Sequence, residues 1–99
     1  MIEKTFTQVD EVSAPVMLYK GQRLAISLTG IFDATIEVQR LFPQDGDINY
    51  PSANSPYWTT IDSFTIPAEA NVHGGDNCWY RAICSVFSSG SPVVRLKSI

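Results

Sequence analysis

Between Arg23 and Thr29 the chain alternates strictly, with Leu24, Ile26 and Leu28 set against Arg23, Ala25, Ser27 and Thr29. A period of two places three aliphatic side chains on one face of an extended strand, because successive Cβ atoms point to opposite sides of the backbone. Gly30 permits a turn, and Ala34 to Phe42 alternates again, with Ile36, Val38 and Arg40 opposite Thr35, Glu37, Gln39 and Leu41. The two segments are expected to form a hairpin over Gly30 to Asp33. Further on, Trp58, Thr60 and Asp62 alternate with Thr59, Ile61 and Ser63 ahead of Phe64 and Ile66. A bulge near Asp62 would turn Ile61, Phe64 and Ile66 inward together. From Cys78 to Phe87 both faces are apolar, Tyr80, Ala82, Cys84 and Val86 on one and Trp79, Ile83 and Phe87 on the other. Such a strand belongs in the middle of a sheet. Ser88 to Pro92 supplies a tight turn, and Val93 to Lys97 returns as a last strand with Val94 and Leu96 on one face.

The remaining stretches alternate poorly. Residues 1–22 carry Phe6, Val9 and Val12 in a weak pattern that Pro15 interrupts, and are expected as an N-terminal arm or edge strand. Pro43 to Pro56, with three prolines, a glycine, two Asp and two Asn, is expected as a long exposed loop, and Ala68 to Asn77 as a second one. Residues 23–99 are then an all-β domain, an immunoglobulin-like two-sheet sandwich of about seven strands, with a small β-barrel as the alternative. Its expected core is Leu24, Ile26, Leu28, Ile36, Val38, Ile61, Phe64, Tyr80, Ala82, Cys84, Val94 and Leu96. Trp58, opening its strand, is expected to pack into that core as well.

Composition narrows the class. A chain of 99 residues, 44% hydrophobic and 17% charged, has room for one folded domain and is unlike disordered or fibrous chains. A net charge of −3 has the wrong sign for neutralising a nucleic-acid backbone. The apolar runs, such as Ala14 to Leu18, fall far short of the roughly 20 residues needed to span a bilayer as a helix. Met1 to Thr5 lacks a basic segment followed by an apolar one, so a cytosolic product is expected. Cys78 and Cys84 on one extended strand stand about 20 Å apart, beyond disulfide reach, and are expected as free thiols.

Candidate chemistry is thin. His73, the only histidine, lies near Asp76 in a glycine-rich stretch, but no Gly-x-Ser-x-Gly elbow accompanies it, and solvent exposure is the expectation. Asp45, Asp47 and Asn49 resemble the first half of a calcium loop, yet Tyr50 stands where glycine is wanted and Pro56 where a bidentate Glu is wanted. Gly74-Gly75 is followed by no Lys and opens no helix, so no phosphate loop is expected. No catalytic residue, cofactor or metal ligand is assigned. Tyr50 and Tyr57, beside Pro51 and Pro56, are expected at the surface as an aromatic platform for a sugar or a protein partner. With Phe6, Val9, Val12 and His73 they form the candidate interaction set. Arg23, Arg40, Arg81 and Arg95 sit one to a strand, and Arg40 is expected to reach a carboxylate across the sheet.

Taken in order, the segments Leu24 to Phe32, Ala34 to Arg40, Trp58, Ser63-Phe64-Thr65, Trp79-Tyr80-Arg81-Ala82, Ser88-Ser89-Gly90 and Val93-Val94-Arg95-Leu96 resemble small β-sandwich virion proteins of tailed bacteriophages. The shared features are a strand ending in Gly plus an aromatic, a strand ending in Gln-Arg, a central Trp, a Tyr-Arg pair in a late strand, and a Ser-Gly turn before a Val-x-Arg-Leu strand. The Pro-rich insert Pro43 to Pro56 and the segment before Leu24 depart from that pattern. The resemblance implies a non-enzymatic capsid decoration (cement) protein, or a neck, tail or fibre-associated component, located in the virion after synthesis in the host cytoplasm. It implies the major capsid protein or other virion proteins as partners, with further copies of itself, and neither nucleic acid nor membrane. On that reading Met1 to Lys20 would wrap or add a strand to neighbouring subunits, and the two loops would make a second contact. A carbohydrate-binding receptor-recognition module presenting Tyr50 and Tyr57 is the competing class.

Overall fold

The alternating segments become strands, and so do two stretches that alternate less visibly. A computed structural model describes residues 1–43, 51–74 and 77–99. Among them are eight strands: β1 (Ile2–Thr5), β2 (Val16–Leu18), β3 (Arg23–Thr29), β4 (Phe32–Leu41), β5 (Thr59–Phe64), β6 (Ala68–His73), β7 (Cys78–Gly90) and β8 (Val93–Ser98). No helix of the described residues is long and apolar enough to cross a membrane.

The strands form two four-stranded antiparallel sheets, in the orders β1-β8-β3-β6 and β2-β7-β4-β5. The two-sheet sandwich expected from the alternation is therefore present. Its pairings are nested: first strand with last, second with seventh, third with sixth, fourth with fifth. A long hairpin rolled up so that β8 also meets β3 and β7 also meets β4 has this order, which is the eight-stranded jelly roll. An immunoglobulin order would put the last strand in the sheet of β4 and β7. Here β8 lies between β1 and β3 instead.

The rolled connectivity changes what Gly30 does. β3 and β4 do not form the expected hairpin; they lie in different sheets, so Leu24, Ile26 and Leu28 face Ile36 and Val38 across the core. The crossing is made where two turns interlock. Gly30 (φ +107°) leaves no space for a side chain, since a Cβ there would stand 2.6 Å from the Ser91 carbonyl oxygen. A Cβ on Gly90 (φ +96°) would stand 2.3 Å from the Ile31 oxygen. The Ser91 amide donates to that same Ile31 oxygen at 3.1 Å. Only glycine fits both positions.

Of the expected core, Leu24, Ile26, Leu28, Ile36, Val38, Tyr80, Ala82, Cys84, Val94 and Leu96 are buried together, with Ile61 and Phe64 half-buried against them. β7 is central in its sheet, as its two apolar faces require. The bulge in the β4–β5 ladder falls at Ile61: Val38 faces Asp62 and Gln39 faces Thr60, leaving Ile61 between them without a partner. Ile66 lies beyond the end of β5 and is 69% exposed, so it does not turn inward. The stretch Ala68 to Asn77, expected as a loop, contains β6, whose Ala70 and Val72 lean on the core, with Ala68 half-buried on the same face, while Glu69, Asn71 and His73 face solvent.

Residues 1–22 supply an edge strand to each sheet, β1 beside β8 and β2 beside β7. They are built into the sandwich and form no wrapping arm: Phe6 and Leu18 are fully buried core residues. Between them the chain runs along β7, with the Asp10 amide donating to the Cys84 oxygen and the Cys84 amide to the Glu11 oxygen. Ser13 accepts the Ala82 amide on its hydroxyl at 2.9 Å, so a side chain completes the ladder next to Pro15, which has no amide to offer.

Candidate functional site: the outer face of the second sheet

The outward row of β7 is Trp79, Arg81 and Ile83, paired across β4 with Leu41, Gln39 and Glu37. Trp79, Ile83 and Leu41 make part of this face apolar, and a later segment packs on it. Residues 51–58 lie against this face, and the Trp58 indole nitrogen donates to the Ser52 carbonyl at 3.0 Å, closing the turn on itself. Trp58 is half-buried here and lies outside the central core, contrary to its expected place inside it.

Beneath Trp58 sits Arg81, only 6% exposed. Its Nε donates to Gln39 Oε1 at 2.8 Å and one Nη to the Ala53 carbonyl at 2.9 Å. The guanidinium carbon lies 4.3 Å from the centre of the Trp58 ring, within cation–π range. Burial lowers its pKa, and no carboxylate of the described residues opposes that shift. Beside the guanidinium is a hollow of about 290 Å³ walled by Val12, Ala14, Pro15, Pro51 and Trp58. The Ser13 hydroxyl at its margin is already committed to Ala14 and Ala82.

The other expected interaction residues scatter. Phe6 is core and is removed from the set. Val9 is half-exposed, and Val12 pairs with Ile83 and lines the Arg81 hollow. Tyr57 is 58% exposed, beside Trp58. His73 ends β6 opposite Arg23 and faces solvent. Tyr50, and with it Asp45, Asp47 and Asn49, lies outside the described residues. Among the described residues Arg40 pairs with no carboxylate; it lies 4.8 Å from the Phe42 ring and beside the Tyr80 hydroxyl. Burial, and the Cys78 thiol next to it, raise the Tyr80 hydroxyl above the ordinary tyrosine range against the pull of Arg40. Arg81 is the residue sequence reading passed over. Its signal was present, since a lone charge inside a strand apolar on both faces has to find its partners somewhere.

Two further features are electrostatic. Glu11 caps the turn after β1: its carboxylate accepts the Thr7 amide at 2.6 Å and the Gln8 amide at 3.0 Å, and it pairs with Lys4 at 3.4 Å. The Thr7 amide is the largest cause of its lowered pKa. On the outer face of the first sheet Arg95 pairs with Glu3 at 3.2 Å and donates to the Thr29 hydroxyl. Among the described residues no three His, Cys, Asp or Glu side chains gather as metal ligands would.

The exposed apolar side chains divide between the two ends of the sandwich. Leu28 faces Ala68, Thr29 faces Val93 and Phe32 faces Gly90, so the β3–β4, β5–β6 and β7–β8 turns share one end. That end carries Ile31, 94% exposed, and Ile66. The other end, where Arg23 faces His73 and Leu18 faces Cys78, carries Tyr19, Phe42 and Tyr57. No protein-family model, curated protein or solved structure matches the chain. Its class is defined by its own topology as a small all-β jelly-roll sandwich.

Proposed function

We propose that this chain is a non-enzymatic virion structural protein, a decoration (cement) protein that binds the assembled head of a tailed phage through its aliphatic end. The observation that carries the reading is the pair Ile31 and Ile66, both exposed at the same end of the sandwich, with Ile31 on the turn that interlocks with Gly90. Apolar side chains fixed at one end of a small domain favour a protein partner, because covering them removes apolar area without first ordering a loop. The likeness to small phage β-sandwich proteins supports the same reading. Binding to the assembled shell and not to free subunits would stabilise the shell by mass action, and many weak copies suffice. Because residues 1–22 are part of the fold, the contact falls to the ends of the sandwich and not to an arm.

The test is co-sedimentation of the purified chain with particles from its source, with gold-labelled antibody localisation by electron microscopy. Label over the whole shell, lost in the double variant Ile31→Ser, Ile66→Ser while its Tm is unchanged, supports decoration. Label at one vertex moves the protein to the neck or tail, and particles free of label overturn the virion reading. Tyr57, Phe42 and Tyr19, exposed together at the opposite end, favour a second reading as a glycan-binding recognition module. Glycan arrays separate the two, since a decoration protein should ignore sugars.

A further inference from the structure

The Arg81 guanidinium is a buried cation whose partners among the described residues are all neutral: an amide oxygen, a backbone carbonyl and an indole face. The ion pairs of the described residues are Lys4–Glu11 and Arg95–Glu3, and neither involves it. An isolated buried charge is costly, and an arginine keeps its proton even where burial lowers its pKa, so the cost is not escaped by neutralisation. Holding residues 51–58 in place accounts for the two hydrogen bonds and the indole contact, but no carboxylate among the described residues pairs with the charge. A guanidinium has five N–H donors in a planar fork, and two are used by the described residues.

The hollow beside it supplies the second half of a site. Its walls, Val12, Ala14, Pro15, Pro51 and Trp58, are apolar, and its volume of about 290 Å³ suits a small acid or one acidic side chain. We propose that this hollow binds a single carboxylate carried on a short stem, the carboxylate pairing with the remaining Arg81 donors and the stem lying between the two prolines and the indole. Carboxylate geometry matches the arginine fork, and the apolar side chains beside the guanidinium would strengthen the pair by lowering the local dielectric. The net charge of −3 gives an acid no long-range attraction, so selection comes from the contact itself. The site does not depend on the chain being a virion protein. Two sources offer the same chemistry: a sugar acid, and a Glu or Asp side chain of a partner protein.

The experiment is an NMR titration of the labelled chain with propionate, with glucuronate against glucose, and with a capped Glu peptide against its Gln counterpart. Saturable shifts at the Arg81 Nε–H, the Trp58 indole and residues 12–15, seen with acids and absent with the neutral analogues, support the site. Glucuronate outperforming the peptide assigns the sugar source, and the reverse order assigns the side chain. Ala14 is exposed, so two variants there should fold: Ala14→Trp fills the hollow, and Ala14→Glu supplies an internal carboxylate. Each should weaken acid binding by roughly tenfold or more, and Ala14→Glu should raise Tm. No saturable shift up to about 20 mM acid, equal response to the neutral analogues, or undiminished binding in both Ala14 variants would overturn the proposal.

Discussion

Replacing Phe6 by Ala tests whether the first residues are part of the folded body. Phe6 is 0% exposed, packs in the central core, and its amide donates to the Pro92 carbonyl at 2.9 Å between the two sheets' turns. Truncating a fully buried Phe to Ala removes its transfer energy and leaves a cavity, about 3–5 kcal/mol together. A domain of this size has a total stability of about 5–15 kcal/mol, so the loss is a large share of it. With an unfolding entropy of about 0.2 kcal/mol/K for a chain this long, Tm should fall by about 15 °C or more. Val9, three residues on and 48% exposed, provides the control: Val9→Ala should cost under about 0.5 kcal/mol. Urea denaturation followed by tryptophan fluorescence measures both. A Phe6→Ala loss below about 1 kcal/mol with an unchanged m-value would show that β1 is not docked, and would restore the free arm.

Gly90→Ala should cost more than about 2 kcal/mol, because strain at positive φ adds to a clash with the Ile31 and Phe32 backbone, whereas Gly21→Ala, at φ +88° in open space, should cost about 1 kcal/mol. Equal urea midpoints for the two variants would refute the interlocked turns. The lowered pKa of Glu11 means that its contribution is present above the unfolded value of about 4.5 and is lost as pH falls through the lower folded value. The stability difference between Glu11→Gln and the parent should therefore shrink toward zero between pH 5 and acid, measured by denaturation at several pH values, and a constant difference would refute the cap. Burial, with Glu11 and Asp10 nearby, raises the Cys84 thiol pKa, and the thiol donates to the Val86 carbonyl. A thiol reagent at neutral pH should label Cys84 only after denaturant is added; rapid labelling of the native chain would contradict that burial.

Inward faces were legible in the sequence where large aliphatics recur at period two, as in Leu24-Ile26-Leu28 and Val94-Leu96. β6 was not, because Ala68, Ala70 and Val72 make a shallow hydrophobic stripe that suffices only because β3 covers its flank. β1 and β2 were hidden by their length: four and three residues hold too few positions to show a period, and their register comes from β8 and β7. Gly30 marks a turn in the sequence and makes one in the structure, but whether a turn joins strands within one sheet or carries the chain to the other depends on partners sixty residues away. The site was legible only as an anomaly. Nothing local to Arg81 announces Gln39, Ala53 and Trp58, which reach it from a neighbouring strand and a loop.

The position of β8 between β1 and β3 orders the events of synthesis. Among the described strands β1 pairs only with β8, although it is made before it, and β3 has only β6 until Val93–Ser98 leave the ribosome. The first sheet therefore closes only once Val93–Ser98 have been made, by a long-range pairing of the slow kind. Until then Phe6 and the inward side of β3 are exposed on the nascent chain, the interval in which it is most open to chaperones and to aggregation.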